Sequence, residues 1–245
     1  MMKSKANLFL IGAAKSGTTA LAATLGQHPA IAPLPIKEPG HFSTDLRTPV
    51  FSSRYNRLLQ WDEAAYFKKA PFEERHIGFV ESELNYQKLV DQALTSNPDS
   101  KYVLDASTAY LYSASAPAQL RHYAADAKIV LLLRNPIERA YSHYTMALKY
   151  GMEQEGPLQA FKREAALYPA HWGQDECYLE LGHYAKQLDR WSLDQRDRKV
   201  GMFGDWLEAS GHGKYVEWVE DAETGLYRLE AVRTKGGEPL VPRPA

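Results

Sequence analysis

The feature that most constrains this chain is a run of five apolar residues, Ile129-Val130-Leu131-Leu132-Leu133, bounded by Lys128 and Arg134. A strand with one wet face alternates apolar and polar residues, so an unalternating run predicts a strand covered on both faces, as in a parallel sheet. The residues after it predict a helix. Asn135 is placed to cap it, Pro136 fits its first position, and Glu138 completes a capping-box spacing. Ile137, Tyr141, Tyr144 and Leu148 then form one helical stripe. Leu8-Phe9-Leu10-Ile11 predicts another strand ending at Gly12, followed by a helix from Thr18 to about Leu25 with Leu21 and Leu25 on one face. Tyr102-Val103-Leu104 predicts a third, followed by polar Asp105-Ala106-Ser107-Thr108, and Val200 to Phe203 a weaker last one. Pro33, Pro35, Pro39 and Gly40 predict an irregular stretch. Strands separated by helices specify an α/β fold with a central, mainly parallel sheet. Beyond about Asp205 the pattern fades. Glu217, Glu220, Asp221 and Glu223, then Val241-Pro242-Arg243-Pro244, predict a loosely ordered tail.

The 245 residues, 44% hydrophobic and 24% charged, suit one large domain better than two. Lys and Arg total 29 against 30 Asp and Glu, which excludes a broad basic nucleic-acid surface but allows a local basic pocket. Cys177 is the single cysteine, so neither an internal disulfide nor a Cys-rich metal site is possible. No stretch approaches the roughly 20 apolar residues of a membrane span. The N-terminal apolar stretch is too short for a secretory signal, and the expectation is a soluble, cytoplasmic protein. The pattern does not specify an oligomeric state.

The chemistry concentrates between the first strand and the first helix, in Gly12-Ala13-Ala14-Lys15-Ser16-Gly17-Thr18-Thr19. Glycines permit a tight turn with N–H groups pointing inward, and the following helix presents its positive end. Lys15 adds a charge, and Ser16, Thr18 and Thr19 add hydroxyls, together a pocket for a phosphate-like anion. It is not a Walker A loop, where the lysine follows the last glycine, because Lys15 precedes Gly17. The alternative is a glycine turn with a surface lysine. A second anion site is offered by Arg134, at the carboxyl end of a strand where open α/β sheets bind ligands, together with Ser142 on the next helix. A guanidinium fork suits phosphate. The alternative there is Arg134 paired with Glu138 and an ordinary helix serine.

The loop from Gly12 to Leu21 resembles the 5′-phosphosulfate loop of sulfotransferases that use 3′-phosphoadenosine 5′-phosphosulfate (PAPS). Leu131-Leu132-Leu133-Arg134-Asn135-Pro136-Ile137-Glu138-Arg139-Ala140-Tyr141-Ser142 is similar to their 3′-phosphate motif, in the form shared by bacterial members and the heparan-sulfate branch. Ile36-Lys37-Glu38-Pro39, Asp105-Ala106-Ser107-Thr108-Ala109-Tyr110, and Leu181-Gly182-His183-Tyr184 through Leu188 and Trp191 resemble further stretches of that branch, in the family's order. The resemblance implies a three-layer α/β/α fold of the P-loop nucleoside-kinase-like type. It implies a sulfotransferase domain over residues 1–206 and a divergent or truncated tail over 207–245. It further implies transfer of a sulfuryl group from PAPS to a hydroxyl or amine of a carbohydrate, lipid or small natural product, releasing 3′,5′-adenosine bisphosphate, with no metal.

Carried over residue by residue, Lys15, Ser16, Gly17, Thr18 and Thr19 hold the 5′-phosphate and sulfuryl oxygens, and Arg134 and Ser142 hold the 3′-phosphate. Lys15 stabilises charge on the bridging oxygen, and Glu38 is the general base. Lys37 is either a second stabiliser of the sulfuryl group or solvent-exposed. Asp105 either assists as base or orients the acceptor, or is an exposed strand-end carboxylate, the reading its position favours. His143 is expected on the helix surface or in packing, Cys177 as a buried thiol, and Tyr102, Tyr110 and Tyr112 in core packing rather than an acceptor pocket. Two departures from the family stand out. Gly40 takes the place of a histidine, so His41 is given no role, and the tail lacks the usual late basic loop, for which Arg233-Thr234-Lys235-Gly236-Gly237 has a suitable composition. Two other readings stay open: a nucleotide or small-molecule kinase, needing ATP and a Mg²⁺-holding carboxylate, and a catalytically inactive nucleotide-binding protein.

Overall fold

The structure is a computed structural model that describes residues 4–47, 51–167, 171–193, 217–220 and 227–230. The strand expected at 200–203 and the Lys235-Gly236-Gly237 segment lie outside the described residues. The chain divides into two compact units, Met1–Arg198 and Lys199–Ala245. In chain order the strands of the first unit are β1 (Leu8–Leu10), β2 (Ile31–Pro33), β3 (Ile36–Glu38), β4 (Arg75–Ile77), β5 (Tyr102–Ala106) and β6 (Lys128–Val130). The helices are α1 (Thr18–Leu25), α2 (Ser53–Leu59), α3 (Glu63–Tyr66), α4 (Glu83–Ser96), α5 (Ala109–Tyr112), α6 (Ala116–Tyr123), α7 (Pro136–Lys149), α8 (Pro157–Ala166) and α9 (Tyr184–Leu193), with a 3₁₀ turn at Glu180–Gly182. In the second unit, β7 (Glu217–Glu220) pairs antiparallel with β8 (Tyr227–Glu230). The expected loosely ordered tail therefore contains a two-stranded ladder, built from four-residue segments too short to stand out in the sequence.

Four parallel strands form the central sheet in the order β2-β5-β1-β6. Phe9 stands in register with Asp105 on one side and Ile129 on the other. Phe9, Val103 and Asp105 are buried, and so are their neighbours Leu8, Leu10 and Leu104 on the opposite face of the pleat, so both faces of β1 and β5 are covered. This is the mixed α/β architecture with a central parallel sheet expected from the sequence. Among the described residues no helix is long and apolar enough to cross a membrane.

Three local expectations are corrected. The apolar run that opened the reading is not doubly covered. It lies on the sheet edge, with Ile129 to Leu132 half-buried and Leu133 exposed. Beyond the ladder it still pairs with the glycine loop: Leu132 N–H donates to the Gly12 carbonyl (2.9 Å), and Ala13 N–H donates to the Leu132 carbonyl (2.6 Å). Ile129 and Leu131 thus pack against the core from its edge, while the backbone at Leu132 seats the loop. The proline-rich stretch is not irregular, since it holds β2 and β3. Pro33 ends an edge strand, where no ladder donor is needed, and the carbonyls of Pro35 and Pro39 accept from Arg75 and Val80 (2.9 and 2.8 Å). In α7 the cap is as expected, Asn135 Oδ1 accepting from the N–H groups of Ile137 and Glu138, but the buried face is not. Ile137, Tyr141 and Leu148 are exposed, while Arg139, Ala140, Tyr144 and Ala147 are buried. Ala140 and Ala147 allow close approach to a cluster containing Met152, Ala160 and Tyr178, and the guanidinium of Arg139 donates to the Tyr178 carbonyl.

Asp105 is the sharpest difference. β5 runs two residues further than the apolar run suggested, and Asp105 is 0% exposed. It sits under an aromatic cluster in which Phe42 contacts Phe9, Tyr86 and Tyr123 at centroid distances of 5.9, 5.2 and 4.8 Å. Tyr86 and Tyr110 hydroxyls donate to its Oδ2 at 2.8 Å, and Ser107 donates to Oδ1 at 2.7 Å. Burial pushes its pKa up to about 6 even though these three hydroxyls favour the charged form. Tyr110 is accordingly a core residue.

The native state therefore keeps a proton on Asp105 to higher pH than the unfolded chain does. Its contribution is fully present below the unfolded value near 3.8 and is lost as pH rises through about 6. Stability of the parent relative to Asp105→Asn should fall by on the order of 2–3 kcal/mol between pH 4 and 7. Denaturant melts of both proteins across that range check this, and a constant difference would show that Asp105 titrates alike in both states.

Candidate functional site

The glycine loop leaves β1 and enters α1 by a route few residues can follow. A Cβ at Gly12 would lie 2.8 Å from the Leu111 Cβ, so only glycine fits against α5. Lys15 (φ 68°) and Gly17 (φ 94°) both adopt left-handed backbone, the conformation that turns N–H groups into a concave anion nest. For Lys15 this is strained, and such strain is characteristic of functional loops. Gly17 caps α1 without a side-chain acceptor, and the first turn carries no acid. Ser52, Asp62, Ser82 and Asn135, by contrast, cap α2, α3, α4 and α7 with their side chains. The N–H groups of α1, like those of α5, α6 and α8, have no side-chain cap, and only at α1 do they follow the concave glycine turn, where they can meet an anion. Ser16 Oγ is buried with no hydrogen-bond partner among the described residues, Thr18 is buried and Thr19 exposed.

Lys15 Nζ rests on the sulfur of Met146 at 3.2 Å, a weak acceptor. Partial burial, then the nearby Arg134, lowers its pKa, and Glu38 opposes the shift. Arg134 donates to the Lys15 carbonyl at 3.5 Å, and its own carbonyl accepts from Tyr184 at 3.0 Å. Its side chain pairs with Glu138 at 3.2 Å, one turn along α7, the pairing foreseen as the alternative to an anion site. That pair is exposed, and such pairs contribute little, about 0.3–0.5 kcal/mol. Ser142 lies further along α7, half-buried.

Lys37 and Glu38 lie on β3 and are not solvent-exposed. Their side chains are 14% and 19% exposed, and Lys37 Nζ is 2.6 Å from Glu38 Oε1. The other oxygen, Oε2, accepts from the Thr108 hydroxyl at 2.8 Å. Ser107, beside Thr108, accepts from Gly40 N–H at 3.2 Å. Glu38 is thus fixed from its own strand and from the end of β5, and lies close enough to Lys15 to act on its charge. Glu38 thus links Lys37 to the neighbourhood of Lys15, and Arg134 reaches the Lys15 backbone.

Sequence reasoning did not assign roles to Thr108 and Met146. The signal for Thr108 was its place in the Asp105 to Tyr110 stretch, whereas nothing in the sequence marks Met146. The remaining candidates are structural. His41 Nδ1 lies 2.7 Å from the Val80 carbonyl and its ring stacks on Tyr86. His143 is sealed against Tyr178, burial and then Arg139 pushing its pKa down to about 3. Cys177 is a buried thiol, and Tyr112 stacks on Trp172.

The residues present fit a nucleotide phosphosulfate. Among the described residues, the loop has an orphaned hydroxyl at Ser16, a helix end without a side-chain cap, and a lysine with only a thioether for a partner. Comparison with known proteins points the same way. Residues 7–197 match the Sulfotransferase family. The chain is 30% identical over 200 residues to the mouse bifunctional heparan sulfate N-deacetylase/N-sulfotransferase 1, covering 75% of this chain and 18% of that protein. It is 26% identical over 184 residues to human heparan sulfate glucosamine 3-O-sulfotransferase 3B1, covering 74% of this chain and 36% of that protein. The crystal structure of a sulfotransferase from Alicyclobacillus acidocaldarius superposes with a TM-score of 0.64 at 25% identity, covering 85% of this chain and 76% of the other. The glycine loop, the Lys37–Glu38 pair and the Arg134 corner all fall within the matched span, and the chain belongs to the sulfotransferase family.

Proposed function

We propose that the protein transfers a sulfuryl group from PAPS to a hydroxyl or amine of an acceptor. The observation that carries the proposal is the carboxylate of Glu38, held at both oxygens by Lys37 and Thr108 and close enough to the anion loop for its charge to act on Lys15. A kinase of the Walker type would carry its lysine after the last glycine. The names of the relatives favour a carbohydrate acceptor, with lipids and small natural products offering the same reacting groups.

When bound, the donor supplies a sulfuryl group on a 5′-phosphate leaving group. The chain's part is to position and stabilise. Gly17, Thr18 and the Ser16 hydroxyl cradle the anion at the positive end of α1, and Thr19 adds a hydroxyl at the rim. Lys15 leaves Met146 and meets the charge that builds on the bridging oxygen. A preorganised cation in a partly dry site contributes several kcal/mol there. Glu38 accepts the acceptor's proton, its orientation set by Thr108 and Lys37. Lys37, anchored on Glu38, is also close enough to steady a sulfuryl oxygen. Arg134 exchanges Glu138 for the 3′-phosphate, with Ser142 as a further donor, since a fork on a dianion is stronger than an exposed ion pair.

Thermal unfolding with 3′,5′-adenosine bisphosphate, against ATP with Mg²⁺, tests the pocket. A ligand at 100 times its Kd adds about 2.7 kcal/mol, which raises the midpoint of a chain this size by about 5–10 °C. A rise with the bisphosphate and none with ATP is expected. A rise with ATP alone would favour the kinase, and none with either would favour a protein that has lost its nucleotide. Steady-state assays of release of the bisphosphate from PAPS test the roles. Glu38→Gln should lower turnover by about 10²–10⁴ with bisphosphate affinity nearly unchanged. Lys15→Ala should lower turnover by about 10²–10³ and also weaken binding. Equal turnover of Glu38→Gln and the parent would remove Glu38 from the base role.

A further inference from the structure

The insertion between β3 and β5 brings a histidine to the reacting cluster. β4 runs parallel to β3, with Ile36 opposite Arg75 and Glu38 opposite Ile77, so His76 is the residue opposite Lys37. Residues in register across a strand pair project to the same face. The imidazole therefore stands beside the lysine whose ammonium lies 2.6 Å from Glu38. The charged groups acting on it are Lys37 and Glu38 from β3 and Lys15 from the anion loop, the three residues to which the chemistry has been assigned. Among the described residues its ring has no hydrogen-bond or ion-pair partner, and the residue is exposed. Other histidines are committed elsewhere. His28 Nδ1 accepts from Ala30 N–H, His41 lies against the Val80 carbonyl, His183 stands beside Glu180, and His143 is enclosed.

Resting on the sulfuryl-transfer reading, we infer that His76 is an acceptor-binding residue, hydrogen-bonded to the acceptor on the open side of the Lys37–Glu38 pair and aiming its attacking oxygen or nitrogen at the sulfuryl group over Lys15. Partial desolvation by its neighbours, followed by the charge of Lys37, lowers the imidazole pKa, which favours the uncharged ring at neutral pH, with one nitrogen that accepts and one that donates. An uncharged ring beside two lysines adds a hydrogen bond without adding repulsion. In the transfer step the bond from acceptor to sulfur forms as the bond from sulfur to the 5′-phosphate oxygen breaks. The leaving phosphate keeps the electron pair and Glu38 takes the proton, while His76 exchanges no proton overall. The residue comes from β4, which is outside the five stretches that carry the family resemblance.

The test uses the full chain, with water and glucosamine as probe acceptors and release of the bisphosphate from PAPS as the signal. His76→Ala should leave bisphosphate affinity within about two-fold and lower the release rate about ten- to a hundred-fold, the cost of a misplaced reacting group. It should also raise the KM for glucosamine, and His76→Gln, which retains a hydrogen-bonding side chain, should recover part of the loss. In the parent, the His76 Cε1–H resonance, identified by its loss in His76→Ala, should titrate below an ordinary histidine and move up in Lys37→Met. Unchanged release and KM in His76→Ala with a turning-over parent would overturn this proposal alone, as would a resonance indifferent to Lys37→Met. A parent that binds the bisphosphate but never releases it from PAPS would overturn the sulfuryl-transfer reading and this proposal with it.

Discussion

The site depends on how Glu38 is held. One oxygen belongs to Lys37 on the same strand, and the other to Thr108 at the end of β5. β3 is not part of the central sheet, so this carboxylate joins two separately hydrogen-bonded structures at the point where chemistry is proposed. The join is reinforced a few ångströms away. Ser107 accepts from Gly40 N–H and donates to Asp105, whose other oxygen is fastened to Tyr86 and Tyr110. A chain of short bonds thus runs from the aromatic core to the backbone just after Glu38. Buried networks of this kind rigidify when every member is satisfied, and the side-chain hydroxyls and the carboxylate in this one all have partners.

Each cation of the site has a modest partner. Lys15 rests on a thioether, Arg134 on an exposed glutamate, and Lys37 on Glu38. The partners differ in how readily they give way. A methionine sulfur competes poorly with an oxyanion, and an exposed i,i+4 pair costs little to open. The Lys37–Glu38 contact is better sheltered, so it is the one suited to persist through a catalytic cycle. The residues proposed for the donor are thereby kept in place yet ready for exchange, and the pair proposed to face the acceptor stays assembled.

Much of this was legible in the sequence, for identifiable reasons. The anion loop declares itself through local geometry, because Gly12 and Gly17 sit where neighbours and φ demand glycine. Asn135 and Pro136 mark the start of α7 because capping is a short-range interaction. What was misread depends on partners distant in sequence. The burial of Asp105 rests on Tyr86, Tyr110 and an aromatic cluster gathered from four segments. The exposure of Leu133 follows from strand order, which no run of apolar residues encodes. The stripe on α7 failed because Ala140 and Ala147, apolar but small, let the helix pack on a face that its bulkier residues do not mark. His76 could not be found from spacing, since its relation to Lys37 exists only through the pairing of β3 with β4.

That pairing also divides labour. The residues proposed for the nucleotide donor lie at the ends of β1 and β6 and on α1 and α7, whereas β4 belongs to the excursion between β3 and β5 that also carries α2, α3 and α4. Glu38 itself lies on the small sheet, where β3 and β4 pair over three residues each. Trp61, Tyr66, Phe67 and Phe72 tie this excursion to the main core, so it is its exposed positions, His76 among them, that can change while the rest stays as it is. In the proposed reaction, acceptor choice can then diverge through a few surface residues without re-engineering the energetics of donor capture.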